Sequence, residues 1–174
     1  FTRLVLALHR AGLDQRVVSR ANSSREKQLT DGGIATQTVA FGGKLDIFTR
    51  RKLRREIARY KPQVVLSWMS RAAAFCPPPR GRFVHCGRLG GYYDLKYYHA
   101  CDHLVGNTRG IVDYLVDRGW PEARVHYLPN FVSAGAVDPV PRRNLSTPDD
   151  CAVILALGRL HQNKAFNILI DALR

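Results

Sequence analysis

Alternating strand and helix signals at short spacing predict an α/β chain built on a doubly wound parallel sheet, followed by the start of a second unit of the same kind. Short runs rich in branched apolar residues, such as Val17-Val18, Val64-Val65-Leu66 and Leu104-Val105, recur between segments of helical periodicity. The composition is that of an ordinary globular protein: 45% hydrophobic and 24% charged over 174 residues, enough for one sizeable core. The apolar run from Cys151 to Leu157 then opens a new strand after a stretch rich in Pro, Ala and polar residues. These observations divide the chain into a first domain over residues 1–134, a linker over 135–150 and the start of a second domain over 151–174.

Leu4, Val5, Leu6 and Leu8 lead into His9-Arg10-Ala11, a helix already under way, which Gly12 stops. Both ends of the chain read as cut from a longer protein. Residues 15–19 form a short strand, Ser23 or Ser24 caps a helix to about residue 31, and Gly32-Gly33 break it before a strand over 34–41. A helix over 46–60 carries Leu53, Ile57 and Tyr60 on a narrow apolar stripe, its other faces holding Arg50, Arg51, Lys52, Arg54, Arg55 and Arg59. Pro62 ends it, and Val64-Val65-Leu66 makes a compact buried strand stopping at Ser67 and Trp68. Pro77-Pro78-Pro79 marks an extended connection, Phe83-Val84 the next strand, Arg88-Leu89-Gly90-Gly91 a loop, and residues 93–100 a helix. A strand over 103–105 leads to a helix capped by Thr108, with Ile111, Val112, Leu115 and Val116 facing inward and Gly119 at its end; residues 125–128 complete the sheet.

The formal net charge is +13, and residues 1–140 carry 22 basic against 11 acidic side chains. Such a field favours polyanionic partners: nucleic acid, anionic lipid headgroups or phosphorylated small molecules. No stretch approaches the roughly 18 uninterrupted apolar residues of a membrane span, and the apolar opening is too short for a signal peptide, so a cytoplasmic setting is expected. Cys76, Cys86, Cys101 and Cys151 stand at long irregular gaps. Together with His85, His99 and His103 they lack the paired short spacing of a structural zinc site, so no metal is expected and the thiols read as buried and reduced.

The sharpest chemical signal lies at the end of the chain. Val153-Ile154-Leu155-Ala156-Leu157-Gly158-Arg159-Leu160 is followed by His161-Gln162-Asn163-Lys164 and by Phe166, Leu169, Ile170, Ala172 and Leu173 at helical spacing. Ligands of open parallel sheets sit beyond the carboxyl ends of the strands, which puts Gly158, Arg159 and Lys164 where an anion binds. Arg offers a planar fork and Lys a point charge, a pairing suited to a diphosphate.

This G-R-L-x-x-x-K-x-F-x-x-L-I-x-A-L pattern resembles the opening of the second domain in glycosyltransferase family 4, whose fold is of the GT-B type. Pro62-Gln63-Val64-Val65-Leu66-Ser67 and the stretch from Asp102-His103-Leu104-Val105-Gly106-Asn107-Thr108 to Leu128-Pro129-Asn130-Phe131-Val132 are similar to the family's first domain, so the likeness runs over 46–174. It implies a Rossmann-like acceptor-side domain lacking its first strand, plus the first strand and helix of a donor domain. The donor would be a nucleotide-diphosphate sugar held through Gly158, Arg159 and Lys164, with Arg159 and Lys164 catalytic, no metal and no other cofactor. The acceptor would be a glycan or lipid-linked hydroxyl in bacterial cell-surface or lipopolysaccharide synthesis. The family commonly has Gly directly after the Lys, where this chain has Ala165. Its first Gly-rich loop would precede Phe1 and its pair of Glu residues seven apart would follow Arg174, so the fragment alone should not turn over. Trp68-Met69-Ser70-Arg71 and His85-Cys86-Gly87-Arg88 compete for the neighbourhood of its usual His.

Other features have two readings each. Arg88 is read as a loop arginine, the alternative being contact with a phosphate or anionic acceptor. Tyr92, Tyr93, Tyr97 and Tyr98 either stack on a sugar or cover the sheet edge from a helix. The basic helix is read as a solvated face, with docking to an anionic membrane surface, and hence a peripheral location, the alternative. A nucleic-acid-binding module lacks basic residues interleaved with aromatics, so no nucleic-acid partner is expected. A dinucleotide-dependent oxidoreductase lacks G-x-G-x-x-G within the chain.

Overall fold

The computed structural model describes residues 1–21, 23–43, 45–131, 138–148 and 150–173, without the side chains of Ser23 and Ser24. The expected cap from Ser23 or Ser24, Val132 of the Pro-Asn turn, the first part of the linker and Arg174 lie outside the described residues. The chain forms two compact units, Phe1–Phe131 and Val132–Arg174.

The first unit is α/β, with every strand pairing parallel. Helix α1 (Thr2–Arg10) leads to β1 (Arg16–Ser19), α2 (Ser23–Asp31) and β2 (Ala35–Thr38); β1 and β2 form a two-stranded sheet. Val5, Val17, Leu29 and Ile34 bury a small core between these elements. Helix α3 (Ile47–Tyr60) starts where the sequence places it, because the Asp46 side chain accepts from the Thr49 N–H at 2.9 Å. Its half-buried stripe includes Leu53, Ile57 and Tyr60, and Glu56 pairs with Arg16 of β1 at 3.2 Å.

Strands β3 (Val64–Trp68), β4 (Val84–Leu89), β5 (His103–Gly106) and β6 (Val125–Tyr127) form a second sheet in that order. Helix α4 (Met69–Phe75) follows β3 without a loop, and α5 (Arg109–Asp117) joins β5 to β6. Thr108 caps α5, its Oγ1 accepting from the Ile111 N–H at 3.2 Å, and Gly119 beyond the helix takes φ +91°, as expected. The main core lies between this sheet and its helices: Ala73, Leu89, Tyr98, Cys101, Leu104, Ile111 and Leu115 are all buried. Period-2 alternation puts Leu89 and Leu104 on that face. The other face carries Val64, Leu66 and Val84, which remain 56%, 37% and 41% exposed.

Four expectations are corrected. Val64-Val65-Leu66 is not a compact buried strand, because β3 is an edge strand and one of its faces is open. No element was expected between Trp68 and Pro77, where α4 forms, for which Arg71-Ala72-Ala73-Ala74 carried the propensity. The helix over 93–100 shrinks to one 3₁₀ turn, Leu95–Tyr97, where the Asp94 carboxylate ties down the Lys96 N–H and aromatic residues favour helix weakly. Arg88 and Leu89 belong to β4, so Arg88 is not a loop arginine.

In the second unit the run Cys151 to Leu157 forms no strand among the described residues, contrary to expectation. A strand's N–H and C=O groups need a neighbour to pair with, and none is provided here. A 3₁₀ turn, Gln162–Lys164, precedes α6 (Phe166–Ala172).

Gly87 sits in close contact with the main core. A Cβ there would stand 2.8 Å from Tyr98 Cδ1, 2.9 Å from Cys101 Sγ and 3.0 Å from Leu104 Cδ2. Gly87→Ala is therefore expected to lower stability by about 1–3 kcal/mol, read as a fall in the denaturant midpoint at unchanged m-value.

Candidate functional site

In a parallel sheet every strand delivers its carboxyl end to the same side, and the polar groups of the first unit gather there. β3 ends at Trp68 and β4 at Arg88-Leu89; Asn107 follows β5, and Leu128-Pro129-Asn130 follows β6. The register sets Trp68 opposite Arg88 and Arg88 opposite Val105, so the three share one face.

Arg88 is only 6% exposed. Its guanidinium carbon lies 4.5 Å from the centre of the Trp68 ring, a cation–π stack. Nη2 donates to the Leu128 carbonyl at 3.1 Å and to Asn130 Oδ1 at 3.0 Å. Nε is buried with no acceptor, and no carboxylate pairs with the group among the described residues. Burial lowers its pKa from the ordinary arginine value, the penalty expected for a desolvated cation. Beyond Arg88, the buried Oδ1 of Asn107 likewise lacks a donor.

The backbone between β3 and α4 turns abruptly. Met69 takes φ +70°, a conformation that costs an L residue roughly 1–2 kcal/mol, and its sulfur accepts from the Tyr93 hydroxyl at 3.6 Å. The four tyrosines separate. Tyr98 is fully buried, with its hydroxyl 3.2 Å from Ser70 Oγ and its pKa pushed up to about 12 by burial. Tyr92 is 68% exposed and packs edge-on against Tyr114 at 5.3 Å. Tyr97 lies exposed beside Lys96. Tyr92 and Tyr93 follow the carboxyl end of β4.

The histidines fall into structural roles. His85 is fully buried; its Nδ1 lies 3.1 Å from the Ala100 carbonyl, so Nε2 accepts from the Ser67 hydroxyl at 3.0 Å. The Asp102 carboxylate receives the His85 backbone N–H at 2.8 Å. His99 Nδ1 meets the Lys96 carbonyl at 2.7 Å, and His103 Nδ1 lies 3.0 Å from His126 Nε2. Cys76 and Cys101 are buried and their thiols are pushed up to about 12 by desolvation; Cys86 shifts the same way, and Cys151 is exposed.

In the second unit Gly158 and Lys164 come together. A Cβ at Gly158 would stand 3.1 Å from Phe166 Cζ and 3.3 Å from Lys164 Cγ, so the lysine stem crosses this backbone where a larger residue would displace it. Arg159 and Lys164 are both exposed. Ala165, where the family commonly has Gly, takes φ +51°, the left-handed region that glycine occupies without strain.

The profile of Glycosyltransferase Family 4 matches residues 1–135. The chain belongs to this family. It is 32% identical over 174 residues to a lipopolysaccharide core biosynthesis glycosyltransferase, LpsE, of Rhizobium meliloti, covering 99% of this chain and 51% of that protein. A second such enzyme of that organism, LpsD, is 32% identical over 176 residues, again with 51% of its length covered. The alpha-galactosylglucosyldiacylglycerol synthase of Streptococcus pneumoniae is 25% identical, over 98% of this chain and 44% of that protein. The chain thus spans about half the length of the curated relatives it matches.

His85 makes acid stability a test of this architecture. Burial lowers its pKa below the ordinary value of 6.5, outweighing the Ala100 hydrogen bond and the Asp102 charge, which act the other way. Below about pH 6.5 the unfolded chain takes up a proton that the folded chain resists, so stability falls with pH from there downward. Urea unfolding between about pH 7.5 and 5 should show this decline, and it should shrink in His85→Gln.

Proposed function

We propose that the protein to which this chain belongs transfers a sugar, a hexose by its relatives' chemistry, from a nucleotide-diphosphate donor to a hydroxyl of a glycan or lipid-linked acceptor. The setting is bacterial cell-surface or lipopolysaccharide synthesis, at the inner face of the cytoplasmic membrane. Family membership supports the reaction class. The names of the relatives, two lipopolysaccharide core enzymes and a glycolipid synthase, support the setting.

The observation that carries the chemistry is the packing of the Lys164 stem on Gly158, beside Arg159. A fork and a point charge five residues apart in the chain can together grip a diphosphate and stabilise the charge that grows on it as the glycosidic bond to the donor breaks. On this reading the two side chains supply the electrostatic role without a metal. Closing the site against water directs the sugar to the acceptor hydroxyl.

The reading is tested on the full-length protein with UDP-, GDP- and ADP-sugars. At least one should raise its melting temperature and support transfer to a lipid-linked or core-oligosaccharide acceptor. Arg159→Ala and Lys164→Ala should each cut kcat by about 10²–10³ with the fold intact; activity within a few-fold of the parent would refute the assignment.

The acceptor class agrees with the surface of α3. Leu45, Ile47 and Phe48 at its N-terminal end are 91%, 66% and 80% exposed, next to the exposed cations Arg51, Lys52, Arg54, Arg55 and Arg59. Apolar side chains beside a cationic face suit insertion into an anionic lipid surface better than a nucleic-acid groove. No described helix is long and apolar enough to cross a membrane. Sedimentation with phosphatidylglycerol-rich vesicles should pull the protein down in a salt-dependent way, and Phe48→Ser should weaken this at least several-fold; equal binding to neutral vesicles would count against it.

A further inference from the structure

The Gln162–Lys164 turn is capped at its start by a side chain, that of His161. A backbone N–H can only donate, so the 3.2 Å contact between the Asn163 N–H and His161 Nδ1 fixes which partner accepts. Nδ1 therefore presents its lone pair, and the ring's proton sits on Nε2. His161 does for this turn what Asn or Asp does at a helix N-terminus, supplying an acceptor to an N–H that the turn itself leaves unpaired. The His161 carbonyl takes the Lys164 N–H at 2.8 Å, and the Gln162 carbonyl takes the Ala165 N–H at 2.9 Å. Ala165, at φ +51°, then redirects the chain into α6.

Lys164 is the last residue of that turn, and its side chain is placed as well as its backbone. A Cβ on Gly158 would stand 3.3 Å from Lys164 Cγ and 3.4 Å from Cδ, so two successive carbons of the stem run past the glycine. His161, Gln162, Asn163 and Lys164 are all exposed, so burial does little to hold this stretch and its hydrogen bonds matter the more. Ordering an exposed segment when a ligand arrives costs conformational entropy for every residue fixed. A turn already held in the free protein spares that cost.

We propose that His161 is a positioning residue for donor binding: by accepting the Asn163 N–H through Nδ1, its imidazole holds the turn in the shape that presents Lys164 to the diphosphate. The proposal rests on the glycosyl-transfer reading and deepens it, adding to the donor site a side chain that acts through the lysine.

The test uses the full-length protein and calorimetric titration with UDP, GDP and ADP, following the nucleoside diphosphate that binds most tightly. Three substitutions separate the acceptor atom from the bulk of the ring, and because His161 is exposed none of them disturbs a core. His161→Ala removes both, His161→Phe keeps a ring and loses the acceptor, and His161→Asn keeps a side-chain acceptor for the N–H two residues on. The first two should each weaken binding about five-fold, the usual effect of losing a cap, at a melting temperature near the parent's, while His161→Asn should stay within about two-fold of the parent. A double substitution reads the route through the lysine. On a Lys164→Ala background, His161→Ala should weaken binding by less than about two-fold further, because the group it positions is gone. A ring that touches the ligand directly, or that merely stiffens the unit, would give the full five-fold loss again. That result, a parent-like His161→Phe, or a His161→Asn as weak as His161→Ala overturns the proposal. Should none of the three diphosphates bind the parent, or Lys164→Ala leave the affinity unchanged, the donor-site reading itself fails and takes the proposal with it.

Discussion

The parallel pairing of β4 between β3 and β5 is the constraint on which the rest of the first unit depends. It sends Trp68, Arg88 and the residues after Gly106 to one edge of the sheet, in a register that stacks the indole on the guanidinium. The same pairing fixes what lies beneath. Gly87 leaves space for Tyr98, Cys101 and Leu104, and that space exists only because the strand carries no side chain there. Chemistry at the rim and packing in the interior are therefore two faces of a single strand, with alternate residues assigned to each.

Buried polar groups in one sheet differ in how completely they are engaged. His85 is buried and fully engaged: both ring nitrogens have partners, its backbone N–H is bonded to Asp102, and burial favours its neutral form. Arg88 is also buried but incompletely engaged. Closed networks rigidify a core, whereas a buried donor left without an acceptor carries an uncompensated desolvation cost.

Most of the element order was legible because local chemistry and tertiary packing agree. Asp46 and Thr108 cap the helices that they precede, and Gly119 ends a helix in the left-handed region. What stayed hidden lacked a local sign. Helix α4 begins directly on a strand, with Met69 at positive φ and no side-chain cap, so nothing marks its start. The β4 sequence Val-His-Cys-Gly-Arg-Leu interrupts the apolar pattern with groups that are buried by specific partners, which periodicity does not register. Arg88 therefore reads as a loop residue, whereas it lies on β4. The Gly158, Arg159 and Lys164 group rests on its motif, to which the structure adds the contact between Gly158 and the lysine stem. The strand expected at residues 151–157 needs pairing partners that no local sequence supplies.

The distribution of sulfur has a practical side. Burial keeps Cys76 and Cys101 protonated far above neutrality and raises Cys86 as well, while Cys151 stands in the open a few residues ahead of the Gly-Arg turn. Because alkylation proceeds through the thiolate and requires access, a maleimide dye will label this native protein at Cys151 ahead of the other three. The chain thus carries its own attachment point for a fluorophore just ahead of the Gly-Arg turn, with no engineered cysteine required.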